Sequence, residues 1–142
     1  IVFGDWSSDV CSSDLFADAR NIHTFSTGGV LYPGSGVHLG PAAENNLKNV
    51  RAQKAFLGTA GITQEGFFNS NSLLVDTEKM MIAAASEVYI VTDHTKFGRS
   101  AMALMCGFDD ITAIITDFVP SNCSVILDII RKSRIKIICT DD

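Results

Sequence analysis

Short runs of apolar, often β-branched residues alternate along this chain with longer amphipathic stretches, and this alternation restricts the possible folds more than any other feature. Strands joined by crossover helices in a largely parallel sheet produce such a pattern. The predicted strands are residues 22–26, 54–58, 89–91, 111–116 and 135–139. The predicted helices are residues 41–50, residues 73–86 and a third helix between residues 120 and 133. The sequence therefore predicts one α/β domain with a mostly parallel sheet.

The composition limits the classes of function. A chain of 142 residues that is 46% hydrophobic and 19% charged can bury one continuous core. The formal net charge of −5 argues against a nucleic-acid surface, which needs clustered Lys and Arg, so we do not expect this chain to bind DNA by itself. The longest apolar stretch, residues 80–85, is far shorter than the roughly 18 residues of a membrane helix. We expect a soluble, cytoplasmic protein that has no contact with a membrane.

The cysteines and histidines do not indicate a metal site. The four cysteines contain no Cys-x-x-Cys pair, and the three histidines have no ligand spacing relative to them. Reduced and mostly buried thiols are the better interpretation for a cytosolic protein. The sequence therefore predicts neither a metal nor a cofactor.

The N-terminal segment differs in character from the rest. Residues 5–15 read DWSSDVCSSDL, which is similar to the translation, in one frame, of a common short-read sequencing adapter. The alternative is a linker rich in Ser and Asp. We interpret residues 1–15 as a non-native, adapter-derived tail and residues 16–142 as the domain. We expect the tail to be irregular, because it was not selected to fold with this domain.

Three stretches of the chain resemble the effector domain of the DeoR family of bacterial transcription regulators. They are Thr27-Gly28-Gly29 with Leu39-Gly40-Pro41, then Lys54-Ala55-Phe56-Leu57-Gly58-Thr59-Ala60-Gly61-Ile62, then Asp93-His94-Thr95-Lys96-Phe97-Gly98-Arg99. The third is the most specific, because family members usually read Asp-x-Ser/Thr-Lys-Phe-Gly after a buried strand. Ile114-Ile115-Thr116-Asp117 adds a matching strand downstream. The resemblance covers residues 21–140.

This resemblance implies a fold and a function. The fold would be three-layered and similar to ribose-5-phosphate isomerase, and residues 16–142 would form an effector-sensing domain that is truncated at its N-terminus. The winged helix-turn-helix and the first strand with its Gly-Thr-Thr phosphate loop would lie upstream. The implied function is to bind a phosphorylated sugar and so control DNA binding by the missing N-terminal domain, in a protein that is a homo-oligomer when intact.

The candidate ligand-binding residues follow the predicted strands. Lys96 comes soon after the strand 89–91, so its ammonium group could hold a phosphate at the C-terminal edge of the sheet, with Asp93 orienting it or accepting from a sugar hydroxyl. The alternative is a solvated surface ion pair. His94 occupies the variable position of the motif, and we expect it to be an exposed bystander.

Three glycines and one asparagine complete the predicted site. Gly28 and Gly29 are interpreted as a backbone wall of the pocket, or else as an ordinary glycine-dependent turn. Gly58 ends the strand 54–58 within the second motif and is assigned to the same pocket. Asn69 precedes a helix, so it could bind ligand or cap that helix, although Asn71 or Ser72 is the better candidate for the cap.

An enzyme of the same fold is the main alternative, either a sugar-phosphate isomerase or a deaminase. The isomerase carries an Asp-Gly-Ala-Asp-Glu pattern where this chain reads Leu57-Gly58-Thr59-Ala60-Gly61, so both carboxylate positions are apolar here. An isomerase would have to use Glu65, Asp76 or Glu78 instead. A receptor without catalytic residues is therefore favoured. A third interpretation is an interaction module that binds no small ligand.

Overall fold

The structure, a computed structural model, describes residues 2–3, 21, 23, 25–32 and 37–140. Its strands are β1 (Val2–Phe3), β2 (Val30–Leu31), β3 (His38–Leu39), β4 (Ala52–Leu57), β5 (Gly61–Thr63), β6 (Gly66–Asn69), β7 (Ala85–Val91), β8 (Ala103–Cys106), β9 (Ala113–Thr116) and β10 (Lys136–Cys139). Its α-helices are α1 (Pro41–Lys48), α2 (Ser72–Ala84) and α3 (Ser124–Lys132), and two 3₁₀ turns span His94–Lys96 and Phe108–Asp110.

The main sheet has the strand order β1-β4-β7-β9-β10, and every neighbouring pair is parallel. This confirms the predicted α/β fold with a mostly parallel sheet and is consistent with three layers. The likeness to the isomerase fold in particular stays a prediction. Four of the predicted strands match β4, β7, β9 and β10. The predicted strand 22–26 does not form at Phe25 and Ser26, which lie outside any strand, and Ile22 and Thr24 lie outside the described residues.

The three helices of the described residues have ends that local chemistry favours. Pro41 is the first residue of α1, where its fixed φ is already helical and its missing N–H is not needed. The side chain of Asn71 caps α2 by accepting from the backbone N–H of Leu73 at 2.9 Å, which confirms the predicted cap. Basic residues occupy the last turn of α3, opposite the negative end of its dipole. Within the described ranges, no helix has the length and apolar character needed to cross a membrane.

A second, smaller sheet was not predicted from the sequence. Strands β5, β6 and β8 form it with antiparallel pairing, and all four residues of β6 are buried. Helix α2 contacts both sheets, through β4 and β7 of the main sheet and β6 and β8 of the small one. The core therefore combines Leu57, Ile90 and Ile114 of the main sheet with Met81 of α2 and Phe67 of β6, each at most 1% exposed.

The first strand of the main sheet comes from the predicted N-terminal tail. Val2 pairs with Phe56 and Phe3 with Leu57, both in parallel. The expected irregular conformation is therefore not observed for these two residues, because the open edge of β4 offers backbone donors and acceptors to any extended segment. Residues 4–15, the rest of the predicted tail, lie outside the described residues.

Candidate functional site

The parallel strands of the main sheet end together and bring several polar loops to one edge. Leu57 lies beside Ile90, Val91 beside Ile115, and Thr116 beside Cys139. The residues that follow β4, β7 and β9 therefore share the C-terminal edge of the sheet. Ligands of open α/β sheets bind at this edge.

The loop after β7 folds into a compact turn. Asp93 accepts hydrogen bonds from the backbone N–H of Thr95 at 2.8 Å and from the Thr95 hydroxyl, and so caps the 3₁₀ turn His94–Lys96. The Thr95 hydroxyl is the main reason why the pKa of Asp93 lies below its usual value, and the charge of Lys96 contributes. Lys96 is half-buried. The structure thus brings Asp93 and Lys96 together within one turn, as the motif predicts.

The far side of this turn is anchored to the small sheet. Phe97 is buried and forms a bridge with Ile62 of β5. The backbone N–H of Gly98 donates to the Ile62 carbonyl at 2.8 Å. The turn that carries Asp93 and Lys96 is therefore held between the main sheet and the small sheet.

His94 is paired with Asp117, which the sequence analysis did not predict. His94 Nδ1 lies 2.6 Å from Asp117 Oδ2, and the His94 backbone N–H donates to Asp117 Oδ1 at 2.7 Å. The ring of His94 stacks on Phe118, with 4.0 Å between ring centroids. His94 is therefore a fixed part of the edge and not an unattached bystander. The sequence shows that Asp117 directly follows the predicted strand 111–116, but the pairing of that strand with the one before His94 is seen only in the structure.

Asp117 is organised by more than one neighbour. Besides His94, its Oδ1 accepts from the Phe118 backbone N–H at 2.9 Å and from the Thr116 hydroxyl at 3.0 Å. The hydrogen bond from His94 is the largest cause, and these others add to it, in holding the pKa of Asp117 well below its usual range. Asp117 is thus ionised over a wide range of pH. Both of its carboxylate oxygens accept hydrogen bonds from His94 in the loop after β7.

Gly28 and Gly29 form a turn against the start of α1. Both have positive φ, of 66° and 106°. A Cβ at Gly29 would lie 2.6 Å from the Leu39 carbonyl oxygen and 3.3 Å from Ala43, so this position requires glycine. That this turn shares the C-terminal edge of the sheet with Asp93 and Lys96 stays a prediction.

Gly58 and Asn69 have different environments. Gly58 directly follows β4, is half-buried and lies at the C-terminal edge. Asn69 is 2% exposed, and its amide nitrogen donates to Glu78 Oε1 at 2.7 Å. Asn69 Oδ1 and Glu78 Oε2 have no hydrogen-bond partner within the described residues. Asn69 is therefore buried, and its role in ligand binding stays a prediction.

The three carboxylates that an isomerase would have to use lie in different environments. Glu65 is exposed between β5 and β6, and Asp76 is exposed on α2. Glu78 is 2% exposed, and its burial raises its pKa to about 7 although Asn69 donates to it. Within the described part of the chain, no group of three or more His, Cys, Asp or Glu is placed to hold a metal ion.

A cavity of about 390 Å³ lies beside the residues that follow the turn at His94–Lys96. Its wall is formed by residues 63–65 of the β5–β6 turn, by Gly98 and Ser100, and by residues 122–126 at the start of α3. None of the six predicted ligand-binding residues lines it. Its volume is in the range of small-molecule sites, and it borders the predicted site through Gly98.

Comparison with known proteins identifies the family. A family model described as "DeoR C terminal sensor domain" matches residues 10–118. The chain is 29% identical over 102 residues to the HTH-type transcriptional regulator YulB of Bacillus subtilis (strain 168), which covers 71% of this chain and 40% of the relative. It is 29% identical over 99 residues to the L-fucose operon activator of Escherichia coli (strain K12), covering 69% of this chain and 41% of the relative.

A third relative is the glycerol-3-phosphate regulon repressor of the same Escherichia coli strain. The chain is 33% identical to it over 99 residues, which are 66% of this chain and 37% of the relative. The chain thus spans about two fifths of the length of these relatives. Because the family model matches well over half of the chain, this protein belongs to the family of DeoR C-terminal sensor domains.

Proposed function

We propose that this chain is the ligand-sensing part of a DNA-binding transcription regulator of sugar metabolism, and that its ligand is a phosphorylated sugar. Binding at the C-terminal edge of the sheet would shift the conformation or association of the regulator and so change DNA binding by an N-terminal winged helix-turn-helix. The regulator would act in the cytoplasm as a homo-oligomer. The chain itself would have no catalytic role.

The turn that contains Asp93 and Lys96 carries this proposal. A phosphate needs a cation and hydrogen-bond donors, and a sugar needs acceptors and donors for its hydroxyls. Lys96 supplies the cation, and Asp93 supplies a carboxylate one turn away. Gly28, Gly29 and Gly58 would supply backbone at the same edge, and Asn69 would join them only after release from Glu78.

The relatives support the same class of ligand. One is named for an L-fucose operon and another for a glycerol-3-phosphate regulon, so both are named for the control of small carbohydrate or phosphorylated metabolites. Both are named as regulators of gene expression rather than as enzymes. These names favour a receptor over the isomerase or deaminase.

Calorimetric titration tests the proposal. Because the chain spans about two fifths of its relatives, the titration uses the full-length regulator that we propose carries it. The panel contains glucose 6-phosphate, fructose 1-phosphate, ribose 5-phosphate, glycerol 3-phosphate, the unphosphorylated sugars and inorganic phosphate. We expect at least one phosphorylated compound to bind and its unphosphorylated form to bind more weakly.

Lys96→Ala should then weaken binding about tenfold to 150-fold, since a charge-assisted contact to phosphate contributes roughly 1.5–3 kcal/mol. Lys132→Ala is the matched control, because Lys132 is exposed in the last turn of α3, which leads into the start of β10. Ser124→Ala tests the neighbouring cavity. If Lys96→Ala and Lys132→Ala lose affinity equally, or if only Ser124→Ala loses affinity, Lys96 does not bind the ligand.

A further inference from the structure

We propose that His94 selects the sugar by accepting a hydrogen bond at Nε2 from one hydroxyl of the ligand, and that Asp117 positions its ring for this contact. The inference rests on the proposed function, since it concerns the sugar end of the same site. This inference adds to the proposed function a residue that distinguishes one phosphorylated sugar from another.

His94 is held by more contacts than a residue at the surface usually makes. Asp117 binds both its backbone N–H and its Nδ1, and Phe118 covers one face of the ring at 4.0 Å. Two of these contacts fix the side chain and the third fixes its backbone, although 39% of the side-chain surface is exposed. A fixed and accessible polar group loses little conformational entropy when it binds a ligand.

The pairing with Asp117 also determines which nitrogen can accept. A carboxylate only accepts hydrogen bonds, so Nδ1 must carry the proton that it donates to Asp117. In the neutral ring Nε2 is then an acceptor. Within the described residues Nε2 makes no hydrogen bond, since each contact of His94 is through Nδ1, the backbone or the ring face. An acceptor at Nε2 can receive a hydrogen bond from a sugar hydroxyl.

A purely structural role for His94 accounts for its backbone hydrogen bond to Asp117 but not for the hydrogen bond made by its ring. The backbone hydrogen bond from His94 to Asp117 already joins the loops after β7 and β9. The ring adds a second bond to the same carboxylate and leaves Nε2 at the edge of the sheet, within two residues of Lys96. A phosphorylated sugar whose phosphate is held by Lys96 would bring its hydroxyls past this nitrogen.

Two substitutions separate the ligand role from the structural role. The amide of Asn reaches roughly the position of Nδ1, so His94→Asn keeps a donor for Asp117 but removes the acceptor at Nε2. The amide of Gln reaches roughly the position of Nε2, so His94→Gln keeps an acceptor there but loses the bond to Asp117. A ligand role predicts stronger loss of binding for His94→Asn, and a structural role predicts stronger loss for His94→Gln.

The experiment is calorimetric titration of the full-length regulator with the phosphorylated sugar that binds best in the panel above and with its monodeoxy analogues. In the wild type, removal of one particular hydroxyl should weaken binding about three- to tenfold. In His94→Asn the parent sugar should already be weaker by that factor, and the same deoxy analogue should bind no worse. Inorganic phosphate should bind both proteins equally.

Each outcome decides the inference. If every deoxy analogue loses affinity by the same factor in the wild type and in His94→Asn, or if His94→Gln is the weaker binder, His94 does not contact the sugar, although the proposed function stands. If the wild type binds no phosphorylated sugar at all, the proposed function fails and this inference fails with it. Circular dichroism of each variant verifies that the fold is retained.

Discussion

Asp117 uses both of its carboxylate oxygens on residue 94, Oδ2 on the ring nitrogen Nδ1 at 2.6 Å and Oδ1 on the backbone N–H at 2.7 Å. The two residues follow neighbouring parallel strands, so this double contact joins the loops after β7 and β9. This one carboxylate therefore adds to the contacts of Phe97 and Gly98 with the small sheet in holding the loop after β7.

Asp117→Ala should therefore release the edge locally while leaving the rest of the domain folded. Amide hydrogen exchange of His94 and Phe118 should become roughly tenfold faster, because each loses its acceptor. The amides of β4, which make no contact with Asp117, serve as the control. Unchanged exchange at His94 would contradict the structure of this edge.

The contribution of Asp117 to the stability of the folded protein should be lost only at low pH. The pKa of Asp117 is lowered in the folded protein, so its contribution to stability is present above its unfolded pKa of about 3.8 and is lost as the pH falls through the lower folded value. The His94–Asp117 contact should persist at pH 4. Carbon chemical shifts of the Asp117 carboxylate, followed by NMR from pH 6 to pH 2, measure this. Titration centred near pH 4 would contradict it.

Glu78 should make the protein less stable at higher pH. Its pKa rises from 4.5 to about 7 on folding, so between these values the folded protein keeps a proton that the unfolded chain has lost, and the free energy of unfolding falls as the pH rises. The rise corresponds to roughly 3 kcal/mol. Glu78→Gln removes this ionisation, so the variant should lose less stability than the wild type between pH 5 and pH 8.

Urea denaturation at pH 5, 6.5 and 8 measures this difference. Glu65→Gln is the control, because it makes the same change from carboxylate to amide at an exposed position in the β5–β6 turn. A Glu78→Gln profile that is parallel to that of the wild type would show that Glu78 is not buried as described.

Gly29 and Gly28 should differ in their tolerance of a side chain. Gly28→Ala places a Cβ in open space and should cost roughly 1 kcal/mol, for the positive φ alone. Gly29→Ala also pushes a Cβ against the Leu39 carbonyl oxygen, so it should cost roughly 3 kcal/mol. Denaturant unfolding compares the two, and equal costs would contradict the packing of this turn on α1.

Asn71→Ala should shorten or destabilise α2. Loss of the side-chain acceptor for the Leu73 N–H should cost about 1 kcal/mol. Ser70→Ala is the neighbouring control, since Ser70 is exposed and its replacement should change stability by less than about 0.5 kcal/mol. If both variants have the wild-type midpoint in urea, Asn71 does not cap the helix.

Strands β7, β9 and β10 were predicted because each contains a run of consecutive apolar residues that can be recognised without its partner strand. Strand β1 was not predicted, because it lies in the segment interpreted as a tail. Strands β9 and β10 and helix α3 follow from such runs and from the helix-ending basic residues. The small sheet escaped prediction because β5 and β6 are short and both begin at a glycine, so residues 61–66 have the composition of a loop. Only the tertiary pairing with β8 makes them strands.

The contacts of the candidate site that join neighbours in the chain could be predicted from the sequence, and those that join distant residues could not. The turn at Asp93 and Lys96 follows from a contiguous motif, in which the residues that interact are neighbours in the chain. The pairing of His94 with Asp117 joins residues 23 positions apart and requires the register of β7 on β9, which the sequence does not state. Burial of Asn69 against Glu78 depends in the same way on how α2 lies against β6.

Helix α2 ends at Ala84 and β7 begins at Ala85, so no loop residue separates them. The Ala85 N–H still donates to the Ile82 carbonyl of the helix while its own backbone is already extended. A hinge needs residues that can change conformation freely, and this junction has none. Helix α2 and strand β7 are therefore joined without a flexible segment, and α2 packs back against β4 and β7. A Gly-Gly insertion between Ala84 and Ala85 should introduce the freedom that the junction lacks, and the Ala85 amide, which donates to the Ile82 carbonyl, should then exchange faster with solvent.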